Sequence, residues 1–224
     1  MTEPLSPEIR HYLAKEYPSN HNYRVFAGRV WPSRQLKRRL RRISALYPEP
    51  LESLLDLSVC KGYFAIHAAL TPARPRVLGI DVNETCVTAT RAVSAHLELT
   101  NVRAELLRLH ELADRIDEFG GGFQTAIMIN MYQYLYFGGI TEADFYATHE
   151  EIFRMLRVVC TDTLVFSNCV DFSRLPPWVR ETAEKQGRAD GYSEAQIRAA
   201  AETCFRVEEH GMLGRRPIWK LTAI

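Results

Sequence analysis

Short apolar runs alternate with helical stretches along most of this chain, and that alternation restricts the fold more than any other feature. The runs cover residues 53–57 (SLLDL), 77–81 (VLGID), 102–106 (the weakest), 123–130 (FQTAIMIN) and 163–168 (TLVFSN). Several are apolar on nearly every residue, the signature of strands covered on both faces. Between them, Cys86, Ala89, Val93, His96 and Leu97 recur at helical spacing. A second stripe runs through Phe145, Ile152, Phe153 and Leu156, and Ser193 precedes good helix formers as a predicted N-cap. Strand-helix alternation predicts an α/β fold with a parallel sheet. The last stretch differs. CFRVEEHGMLGRRPIWKLTAI reads as strand, Gly-containing loop and strand, with Phe205, Val207, Ile218 and Leu221 alternating, so the sheet is expected to finish with antiparallel strands.

Residues 1–50 differ in composition and are expected to form a helical lid or substrate-side segment ahead of a domain spanning 51–224. No acidic residue occurs from Tyr17 to Pro48, whereas eight basic ones fall there, most of them in SRQLKRRLRRISAL. That stretch predicts an amphipathic helix capped by Ser33, with Leu36, Leu40 and Ile43 on one face and a solvated basic face opposite. The whole chain carries a formal charge of only +1, which gives no reason to expect polyanion binding by the molecule at large. The five cysteines are odd in number and widely spaced, with no CxxC, which disfavours a zinc site or a disulfide framework. No run reaches membrane-spanning length and MTEPLSPEIR has no signal-peptide core, so the expectation is a soluble cytoplasmic protein, monomer or homodimer, with no metal.

Two of the strands end in carboxylates, Asp56 and Asp81, one β-α-β unit apart. Ligands of open parallel sheets bind beyond the carboxyl ends of the strands, where an acid can accept hydrogen bonds from ribose hydroxyls. The turn between them reads DLSVCKG. It lacks the GxGxxG fingerprint, and no GxxxxGK[ST] loop occurs anywhere, so a diphosphate is poorly served. A nucleoside with an amino-acid tail is served better.

LLDLSVCKGYFAIHAA followed by VLGIDVNETCVTATRAV resembles the first two motifs of class I S-adenosylmethionine-dependent methyltransferases, and the likeness extends through FQTAIMINMYQYLYFGG to RRPIWKLTA. The resemblance implies a Rossmann-like, doubly wound, seven-stranded, mostly parallel sheet with an antiparallel last strand. It also implies S-adenosyl-L-methionine as cofactor. Asp56, Ser58, Val59 and Gly62 would line the methionine part, Asp81 would hold the ribose, Val82 would pack on adenine, and Asn130 would face the methyl group. Ser58 stands where the family usually has its first glycine.

Walls for a small-molecule methyl acceptor, aromatic or anionic, are expected from Tyr23, Trp31, Tyr132, Gln133 and Trp178. Candidate catalytic groups are His21, Tyr134 and His149, histidine being suited to proton removal near neutral pH. The alternatives are a tRNA-modifying methyl or carboxymethyl transferase, to which SVCKGYF and RRPIWKL bear some likeness, and a non-catalytic relative that binds RNA or a partner. The basic helix and the nearby Tyr23, Phe26 and Trp31 keep nucleic acid in view as the lesser expectation.

Overall fold

The computed structural model describes residues 4–139 and 148–224. Phe145, expected on a helical stripe, lies outside them. The contacts divide the chain into two compact units, one of residues 1–112 with 123–126 and one of residues 113–122 with 127–224.

The first unit begins with α1 (Pro7–Lys15), capped by Ser6, whose hydroxyl accepts from Ile9 N. A hairpin of β1 (Tyr23–Phe26) and β2 (Arg29–Pro32) follows, then α2 (Arg34–Ser44). The Ser33 hydroxyl caps α2 by accepting from Leu36 N, and Leu36, Leu40 and Ile43 are buried as the periodicity requires. Arg39 departs from the expected solvated face. It is buried, donates to the Asn20 carbonyl at 3.2 Å and lies over the Phe64 ring. Sequence reading assigned this segment helices and missed the hairpin.

Next come β3 (Ser53–Asp56), α3 (Tyr63–Ala69), β4 (Arg76–Asp81), α4 (Glu84–His96) and β5 (Val102–Leu106). All four residues of β3 and the middle four of β4 are buried. Six of the seven α3 residues are buried too, which is why this short helix carries almost no polar face. The β3–β4 and β4–β5 pairs are parallel. The helix α5 (Leu109–Asp114) and β6 (Phe123–Ile129) lead from the first unit into the second.

The second unit holds α6 (Tyr132–Phe137), α7 (His149–Val159), β7 (Cys160–Ser167), α8 (Pro177–Lys185), α9 (Glu194–Ala201), β8 (Phe205–Leu213) and β9 (Arg216–Ala223). Thr148 and Glu151 cap α7 reciprocally, each side chain accepting from the other's backbone N–H. Ser193 caps α9 as predicted. Its aromatic core includes Trp219 and Phe166, stacked at 5.0 Å.

The main sheet has seven strands in the order β5-β4-β3-β6-β7-β9-β8. The last strand in sequence, β9, inserts between β7 and β8 and is antiparallel to both. The expected fold class is therefore observed. The final hairpin places β8, not β9, at the sheet edge, and only the two end residues of β8 are buried.

Candidate functional site

In the first unit, the turn after β3 gathers most of the predicted cofactor residues. Asp56 is buried and receives the Ser58 backbone N–H, yet its Oδ2 has no hydrogen-bond partner among the described residues. Burial, and the nearby Asp81 carboxylate, push its pKa up to about 8, against the opposing pull of the Ser58 N–H and the Arg39 guanidinium. Asp81 ends β4 with both oxygens in use: Oδ2 accepts from Cys60 N at 2.9 Å and Oδ1 from Asn83 N at 3.0 Å. Burial raises its pKa as well, and these backbone donors counter the rise. Each carboxylate oxygen has two lone pairs, so Asp81 retains acceptor capacity.

The backbone of the turn is committed to the protein. Val59 N donates to the Ile80 carbonyl and Gly62 N to the Val59 carbonyl. With Ser58 N on Asp56 and Cys60 N on Asp81, these N–H groups are not left pointing outward as a phosphate cradle requires. Val59 is buried against Gly79, where an added Cβ would come within 2.4 Å of its Cγ2, so Val59 seats the turn on β4. Gly62 has φ +79, and a Cβ there would meet Thr90 Oγ1 of α4 at 2.7 Å. Its role is close approach to a helix. Val82 is about half exposed beside Asp81.

The sequence places Cys60 in this turn as a small residue and gives no sign of Lys61. Cys60 sits at φ +50, a left-handed conformation that ordinarily favours glycine. It occupies the second glycine position of the alternating pattern that begins at Asp56, which was the available signal. Lys61 is fully buried. Its Nζ donates to the Glu16 carbonyl at 2.8 Å and to Asn22 Oδ1 at 2.6 Å, and it lies 5.0 Å from the Tyr12 ring centroid. Burial lowers its pKa. Nothing in the sequence marks a lysine for this, because its partners come from a distant loop.

The N-terminal residues expected at the site take different positions. Tyr23 is buried against Tyr63, and its hydroxyl donates to the Lys61 carbonyl at 2.5 Å. Its ring and hydroxyl are thus both engaged within the protein. Trp31 stands on the opposite side of the hairpin, paired across the strands with Arg24 and 55% exposed. His21 closes a short 3-10 turn from Ser19 and is half-buried.

In the second unit, Asn130 follows β6 at φ +58. Asn168, which sequence reading left as a strand end, braces this corner. Its Oδ1 accepts from Met131 N at 2.7 Å and Tyr132 N at 2.9 Å, and its Nδ2 donates to the Met128 carbonyl. Gln133 is buried with Oε1 unpartnered. Tyr134 stacks on Trp178 at 5.7 Å with the rings nearly parallel, so these two candidates meet.

Tyr132 and His149 also meet, in a way that redirects both. His149 Nε2 lies 2.8 Å from the Gly191 carbonyl, which can only accept, so Nε2 carries the proton. Nδ1 is then the acceptor for the Tyr132 hydroxyl at 2.6 Å. The imidazole stacks on Tyr136 at 4.1 Å, and burial lowers its pKa. With both nitrogens engaged, His149 has none open to a reacting proton. Tyr132, fully buried, has no free hydroxyl.

No protein-family model matches the chain, and no curated protein matches it. Solved structures do. The bifunctional kinase–methyltransferase WbdD aligns with TM-score 0.60 and 18% identity, over 85% of this chain and 40% of that one. The chain thus spans about two-fifths of WbdD's length. An O-methyltransferase family protein from Burkholderia thailandensis aligns at 0.55 and 13%, over 84% and 56%. The N-terminal domain of EvdMO1, solved with SAH bound, aligns at 0.51 and 15%, over 85% and 80%. The chain has a class I methyltransferase fold. At these identities the likeness establishes the fold alone. In that fold Asp56 and Asp81 end adjacent parallel strands, β3 and β4, where the motif resemblance placed them. Among the described residues no helix is long and apolar enough to cross a membrane.

Proposed function

We propose that the chain is an S-adenosylmethionine-dependent methyltransferase acting on a small molecule. The observation that carries this reading is the buried Asp56 carboxyl with an oxygen left unpartnered, one strand from the Asp81 carboxylate. A buried acid without a partner is costly unless a ligand completes it. A cationic amino-acid tail beside Asp56 and ribose hydroxyls on the remaining lone pairs of Asp81 fit these two groups. The EvdMO1 domain solved with SAH supports the same cofactor. A nicotinamide dinucleotide fits less well, because the turn's N–H groups are already spent within the protein.

When bound, the cofactor supplies a methyl group on a sulfonium, which an acceptor takes by in-line displacement. Asp56 and Asp81 orient it, Val82 offers an apolar surface, and Lys61 holds residues 12–23 against the turn. Residues 1–50 act as a fixed cover more than a swinging lid. Asn130, Gln133 and Tyr134 are assigned to the acceptor step, supported by the buried, unpartnered Gln133 Oε1.

Calorimetric titration with S-adenosylmethionine and S-adenosylhomocysteine, with NADH as control, tests the reading. Micromolar binding of the first two, lost in Asp81→Ala, is expected; binding of NADH alone would overturn it.

A second reading, a tRNA acceptor, is favoured by one feature. Arg34, Lys37, Arg38 and Arg41 of α2 are exposed in a stretch without acidic residues. Steep salt dependence of tRNA binding would support it, and salt-independent or absent binding would leave the small-molecule reading.

A further inference from the structure

The outer face of the N-terminal hairpin carries exposed aromatic and basic residues. Successive strand residues point to opposite faces. Tyr23 faces the turn after β3, where its hydroxyl reaches the Lys61 carbonyl. Arg24 and its cross-strand partner Trp31 therefore face away from that turn. Between the hairpin and α1 lies a cavity of about 500 Å³ that Arg24 and Trp31 help to line. Leu13, Ala14 and Val25 contribute apolar surface, Phe26 and Trp31 are exposed aromatic residues, and Arg10 and Arg24 complete the lining.

The volume falls in the range of small-molecule sites, roughly 300–1,000 Å³. Exposed aromatic residues lining one cavity mark surface that a ligand can cover. The arginines choose the occupant. A guanidinium forks onto a carboxylate or phosphate and also stacks on an aromatic plane. No acid between Tyr17 and Pro48 neutralises Arg24 from within its own segment. A neutral apolar ligand would leave both cations unused, and a simple anion would leave the rings bare.

We propose that this cavity binds a flat organic anion, an aromatic body bearing one carboxylate or phosphate, at a site separate from the cofactor turn. The proposal does not depend on the methyl-transfer reading.

The full chain is titrated with 1-naphthoate, 1-naphthyl phosphate and neutral 1-naphthylmethanol, followed by calorimetry and tryptophan fluorescence. At least one anion is expected to bind about tenfold more tightly than the alcohol. Whichever anion binds more tightly identifies the head group, and either supports the site. Arg24→Gln should bring the anion to the affinity of the alcohol, and Trp31→Leu should weaken all three. Both residues are exposed, and thermal melts confirm that the variants fold. Saturating S-adenosylhomocysteine should leave anion affinity within about twofold. Equal affinity for the alcohol, no effect of Arg24→Gln, competition by S-adenosylhomocysteine, or no binding of any probe would each overturn the proposal. So would a dimer in sedimentation that Trp31→Leu dissolves without any ligand having bound, because the face would then belong to a second copy.

Discussion

The turn after β3 and the Tyr132–His149 pair both bury polar groups, but they settle them differently. Around His149 every group of the pair has its partner: hydroxyl to Nδ1, Nε2 to the Gly191 carbonyl. At the turn the cation is satisfied and the acid is not. The Lys61 ammonium has two oxygen acceptors, while Asp56 Oδ2 has none. A buried network complete in itself rigidifies a core, whereas an incomplete one marks where a ligand belongs. That distinction is what the proposed cofactor role of the acid at the end of β3 rests on, while the pair in the second unit is complete within the protein.

The largest expected effect tests the satisfied side of the turn. Lys61→Met strands the Glu16 carbonyl and Asn22 Oδ1 and releases the N-terminal segment from its anchor. Urea denaturation should show a loss of about 3 kcal/mol, and hydrogen exchange should speed up in residues 5–32. A loss confined to cofactor affinity would make Lys61 a ligand-binding group and blur the comparison.

Asp81→Ala removes the acceptor for Cys60 N and Asn83 N together with the proposed ribose contact. Affinity for S-adenosylhomocysteine should fall by about 2–3 kcal/mol in calorimetry, about thirtyfold to 150-fold.

Tyr132→Phe sharpens the contrast from the other region. It deprives His149 Nδ1 of its donor and should cost about 1.5 kcal/mol of stability with no change in cofactor affinity. The same pair sets a pH response. Burial holds the folded-state pKa of His149 below its ordinary 6.5. Its contribution is full above 6.5. As pH falls below that value the unfolded chain takes up a proton that the folded chain resists, so stability declines, as denaturation curves at pH 7.5 and 5.5 should show.

The smallest effect concerns Cys60. Glycine accepts φ +50 without the strain a side chain incurs there, so Cys60→Gly should raise stability by about 1 kcal/mol in thermal melts.

What could be read in advance follows from what leaves a mark on sequence. Strands β3, β4 and β7 are covered on both faces, so they survive as apolar runs, and their C-terminal ends were placed within about one residue. The β1–β2 hairpin left only a weak mark, since its strands are four residues each and the exposed Phe26 and Trp31 put apolar residues on the outer face. Asp56 and Asp81 were legible as strand ends because each closes an apolar run. The bonding of His149 was not, because Gly191 lies far along the chain and a buried histidine looks in sequence like a catalytic one. The burial of Lys61 ran against the ordinary behaviour of lysine, so no reading of composition reached it.

Proton release on cofactor binding tests the unfinished acid most directly. With its pKa raised to about 8, the Asp56 carboxyl of the free protein is mostly protonated at pH 7. The stability this group contributes is full below the ordinary carboxylate value of 3.8 and is lost as pH rises through about 8. A cationic amino group placed beside it would ionise it. Titration with S-adenosylhomocysteine at pH 7, in buffers of different ionisation enthalpy, should show close to one proton released per ligand bound, and none in Asp56→Asn. Binding with no proton released, or an identical release in Asp56→Asn, would contradict the account.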